Sequence, residues 1–237
     1  MEADERPSVA RDYFSGPEHG PLPALLLVLT VTTGLIDAVS VLALGRVFVA
    51  NMTGNVVFTG FALAGAPGFV LDASLVALAG FLVGAFVGGI AIGRWGGHRG
   101  ALLRNVTSLQ FVLLTIALIV MLVGDPLGAA PRDVVLACAG MAFGLQNAGA
   151  RKLAVPDITT TVLTMTLTGV VADLRARNTR VLLRRALSVV CMLAGAIVGA
   201  LLVVHNSPTM ALGLADLLVA VVAAVAAAVS VRPAPWH

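Results

Sequence analysis

Residues Leu22 to Gly45 read LPALLLVLTVTTGLIDAVSVLALG, and Arg46 to Asn55 continue as RVFVANMTGN. The first run is long enough to cross about 30 Å of hydrocarbon at about 1.5 Å per residue. It carries a single carboxylate, Asp37, well inside its length. The second run ends in the polar break Asn51-Met52-Thr53-Gly54-Asn55, after which the apolar stretch 54–66 is too short to span. A spanning helix with an internal acid, then a break and a half-length apolar segment, predicts an all-α polytopic membrane protein with irregular backbone at depth. Such backbone is tolerated in a bilayer only where protein or a water-lined cavity surrounds it.

The rest of the chain agrees with that beginning. Of its 237 residues, 59% are hydrophobic and 11% charged, with a mean hydropathy of +0.99. A soluble domain needs roughly a quarter of its residues charged to cover its surface. Disorder is excluded by the apolar content, and a disulfide scaffold by the presence of two cysteines, Cys138 and Cys191, both within apolar runs. Spanning runs fall near 22–45, 71–93, 103–123, 132–150, 182–204 and 209–230. A second short apolar stretch, near 162–173, follows Pro156 and Asp157-Ile158-Thr159-Thr160-Thr161. Six transmembrane helices and two re-entrant half-helices are expected, in one transmembrane domain over 22–230. A flexible cytoplasmic tail (1–21), too acidic and proline-rich for a signal peptide, and a short one (231–237) flank it.

The distribution of cations orients this arrangement. The net charge of +3 comes from Lys and Arg in short loops, which reads as the positive-inside pattern and not as a nucleic-acid surface. Arg94, Arg99, Arg104, Arg151, Lys152, Arg175, Arg177, Arg180, Arg184 and Arg185 all lie inside if 54–66 and 162–173 re-enter, with both termini cytoplasmic. Eight full spans would put 151–152 and 173–185 on opposite faces. Arg46 alone sits against the six-span reading, on the outside.

The chain also repeats itself. Gly34-Leu35-Ile36-Asp37-Ala38 matches Gly144-Leu145-Gln146-Asn147-Ala148 at an offset of 110, whereas Thr53-Gly54 matches Thr168-Gly169 and the run 79–85 matches 194–200 at 115. Repeat 1 covers about 22–123 and repeat 2 about 132–230. With three crossings each, the second copy is expected to be inverted.

Asp37 is the leading functional candidate, because a carboxylate at such depth costs about 2.5–3.5 kcal/mol on insertion scales. It could serve proton or cation coupling or contact a ligand. Alternatively, Thr32, Thr33 or Ser40 could satisfy it. Half-helices beginning at the two breaks would aim backbone N–H groups at a common centre and favour an anion there. Asn51, Thr53, Asn55, Thr159, Thr160, Thr161 and Thr164 add hydrogen-bonding groups for substrate, or simply cap the half-helices. Gln146 and Asn147 contact the same ligand or hold helices together. Gly80, Gly84 and Gly88, with Gly195 and Gly199, form small faces for helix packing, within the fold or at a dimer interface. Asp216, near the outer end of the last span, is expected to be solvated or locally bonded.

No His-Glu-x-x-His pair, Gly-x-Ser-x-Gly elbow or metal-spaced Cys/His cluster is present, and Gly93 to Gly100 lacks the lysine of a phosphate loop. The expectation is a protein that is not an enzyme, with no catalytic residue, cofactor or metal.

Thr33 to Ser40, with Gly45 to Asn55, resembles the signature of the YoaK-like bacterial integral membrane family. Gly144 to Ala148 and the Thr-rich run ending at Thr168-Gly169 resemble its second block, so the resemblance covers most of 22–230. It implies a compact multi-pass protein of the bacterial inner membrane and brings no substrate with it. The combined expectation is a transporter or channel-like protein for a small polar or anionic solute, its partners the lipid bilayer, that solute and a second copy in a homodimer. The alternative is a membrane scaffold or regulatory protein that transports nothing.

Overall fold

The computed structural model describes residues 19–124, 128–156, 158, 160–161, 164–176, 179–231 and 236. The described residues form eight helices: α1 (Leu22–Ala43), α2 (Met52–Leu63), α3 (Leu71–Trp95), α4 (Arg99–Val123), α5 (Ala129–Leu153), α6 (Thr164–Ala176), α7 (Thr179–His205) and α8 (Pro208–Ser230). Their boundaries follow from local chemistry. Pro23 opens α1, where its missing N–H costs nothing, and Pro208 opens α8 just after Ser207, whose hydroxyl accepts from Met210 N. The His98 ring accepts from Ala101 N at 3.1 Å and starts α4. Ala154 ends α5 in the left-handed region, at φ 48°.

Five helices, α1, α3, α4, α7 and α8, are long and apolar enough to cross a membrane. Helix α5 is as long as α3 and α4, at 25 residues, but carries Arg132, Asp133, Gln146, Asn147, Arg151 and Lys152. Gln146, inside its length, is tolerated because the helix packs among α3, α4 and α1 and the side chain bonds Gln110 and Thr33. Helices α2 and α6 have 12 and 13 residues, or about 18–20 Å, well short of a bilayer core.

Two intimate pairs organise the core, α3 against α5 and α1 against α7. An added Cβ would strike a facing backbone carbonyl at each key glycine: Gly84 meets Met141, Gly144 meets Phe81, Gly34 meets Met192 and Gly195 meets Val31. In both pairs the contacts advance in the same sense along the two chains, so the helices run parallel. Gln110 against Gln146 and Val106 against Gly149 make α4 antiparallel to α5; Thr115 against Asp216 and Gly100 against Ser230 make it antiparallel to α8. Hence α1, α4 and α7 run one way and α3, α5 and α8 the other. The glycine faces are thus spent on packing within the chain.

The matched contacts correct one sequence register. Gly84 meets Met141 as Gly195 meets Val31, and Gly88 meets Leu145 and Ala148 as Gly199 meets Leu35 and Ala38. The glycines of α3 and α7 that make matching contacts are therefore 111 positions apart, so Gly80 does not match Gly195. Glycine every fourth residue looks the same after a slip of one turn.

Large side chains such as Leu82, Phe86, Ile90, Ile119, Leu122, Val190, Leu193 and Ile197 point outward, as expected where lipid replaces water. At one end of the bundle, Arg132 pairs with Asp72 at 2.9 Å and Asp133 at 2.8 Å. At the other, Arg99 reaches both His19 and the Leu153 carbonyl, and Trp236 is buried against Gly20 and Gly100. Most of the two expected tails lies outside the described residues, but these parts of them are fastened to the bundle.

Candidate functional site

The chain leaves α1 through Gly45 and Arg46, both at positive φ, and turns back alongside the helix it has just completed. That return brings the N–H groups of Val49 and Ala50 to 3.4 Å from Asp37 Oδ1. Asn55 holds the return in place. Its Oδ1 accepts from Phe48 N at 2.8 Å, its amide donates back to the Phe48 carbonyl, and the residue is fully buried. Phe48 in turn stacks on Phe58 of α2, with ring centroids 5.7 Å apart.

The neighbours that could have satisfied Asp37 are engaged elsewhere. Thr32 donates to the Val28 carbonyl, Thr33 to that of Leu29, and Ser40 to the backbone carbonyl of Asp37 itself. The two long backbone bonds are thus the carboxylate's hydrogen bonds among the described residues.

A cavity of about 310 Å³ opens at this carboxylate. Gly34 and Asp37 supply the α1 wall, Phe48 and Asn51 the first break, Thr161 and Thr164 the second, with Leu167 from α6 and Met192 and Ala196 from α7. An adjoining cavity of about 340 Å³ shares Asn51, Thr161 and Thr164 and adds Thr53 and Gly54. Five of the residues singled out in the sequence, Asp37, Asn51, Thr53, Thr161 and Thr164, therefore line two adjoining cavities. Asn51 stands at the N-cap of α2 without its side chain capping the helix, so its amide is available to a ligand.

The other candidates are placed differently. Asn55 braces the loop and does not line either cavity. Thr160 is buried, with its hydroxyl unpartnered among the described residues. Thr159 lies outside the described residues. Gln146 is packed between helices, accepting from Gln110 at 2.6 Å and donating to Thr33 at 3.2 Å. Asn147 lines a separate cavity of about 540 Å³ between α3 and α5, together with Arg151 and Lys152. Asp216 is 6% exposed and accepts from the Thr115 hydroxyl at 2.9 Å, so it faces α4 and is not solvated.

Sequence reasoning missed the walls: Leu167 and Met192 carry no motif, and Phe48, within the Gly45 to Asn55 stretch, and Ala196, within the run 194–200, were not singled out for a site. The glycine in Gly34-Leu35-Ile36-Asp37 did carry a signal. It admits the α7 backbone one turn before the acid, which brings Met192 and Ala196 beside Asp37.

A family model described as "Protein of unknown function (DUF1275)" matches residues 25–225. The chain belongs to the DUF1275 family. The matched span takes in all eight helices, wholly or in part, and with them both breaks of this DUF1275 protein. It is also 30% identical over 191 residues to the UPF0700 transmembrane protein YoaK of Bacillus subtilis (strain 168), covering 75% of this chain and 82% of that relative. The resemblance read from Thr33 to Asn55 is thereby borne out, and the DUF1275 chain is a membrane protein like its relative. No solved structure matches it.

Proposed function

We propose that this chain is a non-enzymatic transporter or channel-like protein for a small polar or anionic solute, built as an inverted 3+3 repeat with six spans and two re-entrant half-helices. Three observations support the architecture. Exchanging α1–α4 for α5–α8 maps the pair α3/α5 onto α7/α1, and α2/α3 onto α6/α7. The glycine contacts repeat at offsets of 110 between α1 and α5 and 111 between α3 and α7. Each long helix also runs opposite to its counterpart in the other half, α1 to α5, α3 to α7 and α4 to α8, as an inverted repeat requires.

The cations support an orientation in the bacterial inner membrane. Arg94, Arg99, Arg104, Arg151, Lys152, Arg184 and Arg185 gather toward one end of the long helices, and Arg46 and Arg132 toward the other. The richer end is assigned to the cytoplasm with both chain termini.

The observation that carries the functional reading is the cavity at Asp37. A half-buried carboxylate, the unused amide of Asn51 and two threonines converge there from both breaks, and the N-terminus of α2, whose dipole favours an anion, lies at its edge. In this reading Asn51, Thr53, Thr161 and Thr164 bind the solute, and Asp37 carries the coupling proton or cation. The test is uptake into proteoliposomes of a solute found by a thermal-shift screen of small anions, amino acids, nucleobases and metabolites. A solute at 100 times its Kd adds about 2.7 kcal/mol to stability, which such a screen detects. Asp37→Asn is expected to abolish the pH or cation dependence of uptake. Unchanged uptake with unchanged pH and cation dependence would refute the coupling role.

A second reading, a scaffold or regulatory protein, is favoured by the bonds from Val49 and Ala50 to Asp37, which could serve only to hold the break. It predicts a silent screen and an Asp37→Asn variant that is merely less stable. The homodimer rests on chain length alone, because the glycine faces are occupied within the chain.

A further inference from the structure

A cavity of about 540 Å³ is separate from the Asp37 site. It lies between α3 and α5 and has two unlike parts. Phe81, Ala85, Ile92 and Ala148 form an apolar wall that follows α3 for 11 positions, or about 16 Å along its axis. At the end of that wall stand Arg151 and Lys152, with the Asn147 amide one turn deeper. Both cations are exposed, and neither makes an ion pair among the described residues. Lys152 extends across the α3–α4 turn, where its Cε would lie 3.2 Å from a Cβ on Gly96.

The end of α5 would ordinarily repel an anion through its free carbonyls. Here the Arg99 guanidinium donates to the Leu153 carbonyl at 2.7 Å, which offsets part of that partial negative charge. Two unpaired cations at the rim, with an amide one turn deeper, suit an oxyanion. A free anion has no use for a long apolar wall open at the side of the bundle, whereas an acyl chain does.

We propose that this cavity is a binding site for an anionic phospholipid, its phosphate held by Arg151, Lys152 and Asn147 and its chain lying on Phe81, Ala85 and Ile92. The site does not depend on transport through the Asp37 cavity, and the experiment below is silent about uptake.

The test follows thermal unfolding of the full-length protein in a neutral detergent, titrated with dioleoylphosphatidylglycerol, dioleoylphosphatidylcholine or sodium phosphate. The anionic lipid is expected to raise the midpoint, and the other two to leave it unmoved. Removing both charges, in Arg151→Gln/Lys152→Gln, should weaken the response about thirtyfold in lipid concentration, taking about 1 kcal/mol per basic residue near a membrane surface. Ala85→Leu, which narrows the apolar wall and keeps both cations, should weaken it as well. Arg94→Gln, at the same end of the bundle but outside the cavity lining, should not. Equal responses to the two lipids, a response to phosphate alone, or undiminished binding in either cavity variant would each overturn the proposal.

Discussion

Asn51, Thr53 and Asn55 lie within five residues of one another and look alike in the sequence, yet they have different tasks. Asn55 is the brace of the returning segment, and its loss leaves the Phe48 N–H and carbonyl without their partner. Each buried polar group left unmatched costs about 1–3 kcal/mol. Asn55→Ala is therefore expected to destabilise the protein by about 2–4 kcal/mol, read as a lower unfolding midpoint in detergent. Asn51→Ala should leave the midpoint nearly unchanged, because that side chain caps nothing. A polar break was legible from composition. Which of its amides faces inward was not, since that depends on how Gly45 and Arg46 turn the chain at positive φ.

Helix placement was legible to within about four residues, because eight apolar segments separated by Pro, Gly and charge can hardly form anything else in a bilayer. Pairing was less so. The glycine faces announced close contact, but their four-residue spacing hid a slip of one turn between the halves. The same slip conceals that Thr164, and not Thr168, lies 111 positions after Thr53 and beside it in the cavity. Gly84→Ala is expected to cost about 1–3 kcal/mol, because its Cβ would meet the Met141 backbone and α3 and α5 would have to separate. Gly89→Ala, one position from Gly88 but facing open space, should hold or raise the unfolding midpoint by its better helix propensity. A similar loss in both variants would mean that α3 does not pack on α5 through this face.

For the whole molecule, the six-span reading makes a prediction about sidedness. In a background lacking Cys138 and Cys191, Ala66→Cys should react with an impermeant thiol reagent from outside the cell, and Gly97→Cys only after the membrane is opened. Eight full spans reverse both results, since α2 would then cross and carry Ala66 inward. The sequence by itself determined that the chain is a helical membrane protein, where its helices start and stop, and that two of them are too short to span. Those properties follow from local hydropathy, capping and segment length, which are local to the sequence. Only the tertiary structure decided that α5, with Gln146 inside its length, sits among three neighbours, that the glycine faces are consumed internally, and that Asp37 shares a cavity with Thr161 and Thr164. Those outcomes depend on contacts between residues 36 to more than 100 positions apart, and their register is set by backbone carbonyls that leave no mark in a residue pattern.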